Sequence, residues 1–141
     1  MKIILLVLSL FLFENSFSQI NVNDLGKKTF YDVKNAYTIT PCEVTDRLII
    51  TYCVEDGSRL SFLFKNQILN GIMTMTAFSS KYAAENNLES EISKEKTSLG
   101  IEPYITNGKT IFNNLDSPIF ITYGIEYTNQ TFYTVHYIEK K

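Results

Sequence analysis

Two neighbouring stretches, Ile119 to Tyr127 and Thr131 to Ile138, consist mostly of aromatic and β-branched residues, with Asn129-Gln130 between them. Flat rings and branched side chains pack well on a pleated surface and lose rotamer freedom in a helix, so this region is committed to two long strands joined by a turn. The same rule applies earlier. From Leu48 to Val54 the apolar residues Leu48, Ile50, Tyr52 and Val54 alternate with Thr51 and Cys53, and Asp56-Gly57 supplies a tight turn. Leu60 to Phe64 and Ile68 to Phe78 read as two more strands joined near Asn66-Gln67, with a bulge at Asn70-Gly71. The aromatic content, nine Tyr and ten Phe with no Trp, lies largely in these runs.

Helices punctuate the strands. Thr29 followed by Asp32 forms a capping-box variant that opens a short helix. Ser79-Ser80 caps a longer one carrying Ala84, Leu88, Ile92 and Leu99 on one face, which Gly100 and Pro103 stop. After it, Asn107-Gly108 marks a hairpin between Tyr104–Thr106 and Thr110–Phe112. The fold class is therefore α+β, a single domain over residues 19–141. A mostly antiparallel sheet packs against one long and one short helix.

The near-identical hexapeptides ITYCVE, Ile50 to Glu55, and ITYGIE, Ile121 to Glu126, raise a further expectation. Each half of the chain reads as a helix followed by strands, so the echo marks either a helix-strand-strand-strand pseudo-repeat or the small alphabet from which strands draw. In both copies the Ile and Tyr positions share one strand face. The long helix is expected to cover Ile121, Tyr123 and Ile125 together with Tyr133, Val135 and Tyr137. That would leave Phe120, Phe132, His136 and Ile138 on the other face as an apolar interface, facing another protein or a second copy.

Met1 to Ser18 has the layout of a secretory signal peptide: Lys2, an apolar run from Ile3 to Phe13, and small residues at Ser16 and Ser18 before Gln19. The apolar run is shorter than the roughly 20 residues a membrane helix needs. No cysteine adjoins that junction, so neither a lipid anchor nor a transmembrane segment is expected in the mature chain, and the location is periplasmic or secreted. In such an oxidising compartment the two cysteines, Cys42 and Cys53, are expected to form a disulfide, since a free Cys53 would be exposed on its strand.

GKKTFYDVKNAY, then ITYCVE and RLSFLFKNQIL, resembles small bacterial envelope modules of the BamE (SmpA/OmlA) type and the related β-lactamase-inhibitor-protein-like folds. The residues carrying the resemblance are Gly26, Thr29, Asp32, Val33, Phe62, Phe64 and Asn66. What it implies is a noncatalytic protein-binding module.

The candidates for chemistry are few. A formal charge of −2 offers no basic field for nucleic acid. His136 is the only histidine, without a nucleophile or orienting partner in sequence, and one His with two separated Cys does not make a zinc set. Glu85, Glu89, Glu91 and Glu95 alternate with lysines as a solvated helix face. Asn129-Gln130-Thr131 fits a glycosylation acceptor but reads as a turn. No catalytic residue, metal or cofactor is expected. The functional expectation is a binding module, ahead of a structural or accessory envelope component and, third, a hydrolase.

Overall fold

The computed structural model describes residues 20–141, so the proposed signal peptide and the junction at Gln19 lie outside the described residues. After a single 3-10 turn, Val22–Asp24, the chain forms α1 (Phe30–Ala36) and four strands: β1 (Glu43–Thr45), β2 (Ile49–Cys53), β3 (Arg59–Lys65) and β4 (Ile68–Phe78). There follow α2 (Lys81–Leu99) and four more: β5 (Tyr104–Thr106), β6 (Lys109–Phe112), β7 (Ile119–Thr128) and β8 (Thr131–Lys140). All eight strands make one antiparallel sheet in the order β1-β2-β3-β4-β8-β7-β6-β5. The fold is α+β in a single sheet, as the patterning predicts.

Local chemistry sets the element boundaries. At α1 the Thr29 hydroxyl accepts from the Asp32 amide at 3.2 Å while the Thr29 amide donates to the Asp32 carboxylate at 2.8 Å, a complete capping box. These bonds hold the Asp32 carboxyl below its ordinary range. Ser80 caps α2 through the Ala83 amide, and Gly100 ends it in the left-handed conformation at φ 65°. Three hairpins turn on pairs of residues with positive φ, Asp46-Arg47, Asn66-Gln67 and Asn129-Gln130, and a fourth on Asn107-Gly108. The expected bulge is present: Leu63 pairs with Gly71 and Phe64 with Leu69, which leaves Asn70 opposite nothing. β1 was not expected, because a three-residue run flanked by polar residues carries almost no periodic signal.

The strand order is a palindrome. Each half is a helix followed by a four-stranded meander, and the halves join where the last strand of one, β4, pairs antiparallel with the last strand of the other, β8. Topologically the unit is thus helix plus four strands, one more than expected. The hexapeptide echo does not mark equivalent positions. ITYCVE begins in β2, two strands removed from β4, whereas ITYGIE lies in β7, next to β8. What the copies share is environment, with Ile50 and Tyr52, like Ile121 and Tyr123, buried on the helix side. The two halves correspond instead at the tips of β3–β4 and β7–β8, both of which turn on Asn-Gln.

Cross-strand register decides the faces, because directly paired residues point the same way. One row runs Ile50, Phe62, Ile72, Ile138, Ile121, Phe112 across six strands. α1 packs Phe30 and Val33 onto the β2–β4 end of this face, joined by Leu25 and Tyr37, and α2 packs Leu88 and Ile92 onto the β6–β8 end. Ile119 and Ile138 touch both clusters, so the two helices share one continuous core.

Candidate functional site

Both helices lie on the same side of the sheet, and among the described residues no helix covers the opposite side. The row next to the core row crosses all eight strands: Glu43, Thr51, Ser61, Met73, Tyr137, Thr122, Ile111, Tyr104. This open face is the candidate functional surface. Met75, Val135 and Phe120 belong to it as well, through the pairs Met75–Val135 and Phe120–Glu139.

Its chemistry varies along the sheet. At the β1–β2 end the disulfide between Cys42 and Cys53, with a Cα separation of 5.9 Å, ties the edge strand to its neighbour. The hydroxyls of Thr51 and Ser61, both buried, are hydrogen-bonded to one another at 2.9 Å, so neither is left without a partner. In the middle, the Arg59 guanidinium sits 5.7 Å from the centroid of the buried Tyr133 ring. The Tyr137 ring packs against Gly71: a Cβ added there would stand 2.6 Å from the ring, so this close approach needs glycine. The Tyr137 hydroxyl donates to Glu139 Oε2 at 3.0 Å. Burial first, and then the adjacent Glu139 carboxylate, push this phenol up to about 12, so it stays a donor at neutral pH. Towards β5, Tyr104, Ile111, Phe120, Thr122 and Glu139 line a depression of about 130 Å³.

The four residues predicted to form an interface divide between the faces. Phe120 lies on the open face; Phe132, His136 and Ile138 lie on the helix side, paired with Tyr127, Tyr123 and Ile121. Tyr133, Val135 and Tyr137, expected beneath α2, point the other way. The reason is a one-residue difference in register: the two-residue turn Asn129-Gln130 places Thr128 opposite Thr131 and thereby aligns Tyr123 with His136. That turn length was the signal in the sequence that could have assigned the faces correctly.

His136 is therefore a core-side residue. Its ring stacks on Tyr123 at 4.6 Å between centroids and 7° between planes, and its buried Nε2 has no hydrogen-bond partner. Burial lowers its pKa, with a smaller opposing pull from Glu91 on α2. Next to it the Tyr123 hydroxyl is pushed upward by burial, then by Glu95 and Glu91. The nearby Thr134 hydroxyl donates to Asn87 Oδ1 at 3.1 Å, a polar tie between β8 and α2. Among the described residues no group of three or more His, Cys, Asp or Glu is placed to hold a metal ion. Comparison with protein-family models, with characterised proteins and with solved structures finds no match for this chain, and the open face has to be interpreted from its own chemistry.

Proposed function

We propose that this protein is an exported module that binds another protein through the open face of its sheet and carries out no catalytic step of its own. The observation that carries the reading is the asymmetry of the sheet: both helices cover one side, while the other presents Met73, Val135, Tyr137, Phe120 and Ile111, half-buried and under no helix among the described residues. An antiparallel sheet with one solvated face ordinarily alternates apolar inside with polar outside. Here the outside row is polar at the β1–β3 end, with Glu43, Thr51 and Ser61, but from β4 to β5 it carries Met73, Tyr137, Ile111 and Tyr104 around Thr122, an aromatic and aliphatic enrichment of the kind found at interface centres. The resemblance to envelope modules points to the same role. Export is supported by the leader-like Met1 to Ser18 and by the Cys42–Cys53 bridge, which persists in oxidising compartments. Among the described residues no helix is long and apolar enough to cross a membrane.

Met73→Glu places a charge in the centre of the open face without touching the core row. Cross-linking of the tagged protein in envelope extract is expected to give one stoichiometric partner for the wild type and none for Met73→Glu, with both showing the same cooperative thermal unfolding. Diffuse association of the wild type with envelope material, or undiminished capture by Met73→Glu, would count against the reading.

A further inference from the structure

We infer that the depression between β5 and β8 receives a cationic side chain, an arginine above all, from the partner protein; this deepens the proposed function and rests on it. The lining supplies the two things a guanidinium requires. Phe120 presents a ring face, Tyr104 adds a second aromatic to the lining, and Glu139 offers a half-buried carboxylate that forms no ion pair among the described residues and accepts only the Tyr137 hydroxyl. A carboxylate beside aromatic rings matches a planar cation in both charge and shape. A volume of about 130 Å³ is well below that of a metabolite or cofactor pocket and is suited to one side chain.

The same face already sets its own cations against aromatic rings. Arg59 lies over Tyr133, and Lys141, just beyond β8, places Nζ 5.1 Å from the centroid of the Phe120 ring. That ammonium is held by the Asn114 carbonyl at 2.8 Å and makes no bond to Glu139, so the carboxylate remains available beside a ring that demonstrably accepts positive charge. Lys141 is thus a weak competitor at the rim, and the incoming cation displaces it from Phe120 while taking Glu139 as its counter-ion.

The experiment titrates the full folded chain with acetyl-arginine methylamide and, separately, with its neutral isostere acetyl-citrulline methylamide, following backbone amide shifts by NMR. Saturable shifts grouped at residues 104, 111, 120, 122 and 139 are expected with the arginine probe only. Glu139→Gln keeps an acceptor for Tyr137 and should weaken binding by about tenfold or more, whereas Lys141→Ala should strengthen it by roughly twofold to fivefold. Equal binding of the two probes, shifts scattered over the surface, or no effect of either substitution overturns the inference. Partner capture separates this failure from that of the underlying reading. If Glu139→Gln still captures the partner and Met73→Glu does not, the open face binds protein without an arginine in this depression. If neither loses capture, the open face is not the interface.

Discussion

At the scale of single residues, His136 shows how position within a sheet decides chemistry. The imidazole is stacked on Tyr123 beneath α2 and held below its ordinary 6.5 by burial, against the weaker attraction of Glu91. The folded chain resists taking up a proton that the unfolded chain accepts readily. Stability is therefore full above about pH 6.5 and falls as the pH drops through and below that value. Urea midpoints measured between pH 7.5 and 5.5 should decline for the wild type and decline less for His136→Phe, which keeps a ring on Tyr123 and removes the titrating group. Parallel declines would mean that the pH dependence arises elsewhere. The capping residues Thr29 and Ser80, the glycine at 100 and the bulge at Asn70 were all legible in the sequence, because each depends on neighbours within a few residues. Gly71 was legible only as part of that bulge. Its contact with Tyr137 comes from a strand more than sixty residues away and leaves no local trace.

At the scale of elements, the disulfide compensates for the weakness of β1. A three-residue edge strand whose side chains are all exposed contributes little burial, and Cys42 fixes its entrance to Cys53 on β2 across an interval of 11 residues. Closing a loop of that length contributes about 2–3 kcal/mol in the chain-entropy account. Replacing both cysteines by serine should cost that amount in chemical denaturation and raise amide exchange first at residues 43–45. Loss of exchange protection throughout the sheet instead would mean that the bridge organises the core. The long strands β7 and β8 were evident from their aromatic and β-branched composition, and α2 from its serine cap, its apolar positions and the stop at Gly100. Which faces of β7 and β8 come together was not, since the choice turns on a single residue of register.

For the whole molecule, the palindromic order of the sheet raises the question whether the two halves are independent. They are not, because Ile119 and Ile138 contact the clusters beneath both helices and the β4–β8 seam joins the halves along eight residue pairs. Unfolding should accordingly be a single transition, identical by tyrosine fluorescence and far-ultraviolet circular dichroism, and Ile138→Ala should lower stability by about 2–5 kcal/mol while preserving that coincidence. Two separated transitions would show that each helix-plus-meander unit folds alone. The sequence by itself determined the α+β class, the helix caps, most strands and the turn residues, and it identified the cysteine pair. All of these follow from local conformational preference or from simple counting. The side taken by His136 and Tyr137 was written only in the length of the Asn129-Gln130 turn, whereas the tertiary structure alone decided that the strands join in a palindrome and that the hexapeptide echo falls at unrelated places in the sheet. Those outcomes depend on pairings between distant strands, where a shift of one residue exchanges the buried side of a strand for the open one.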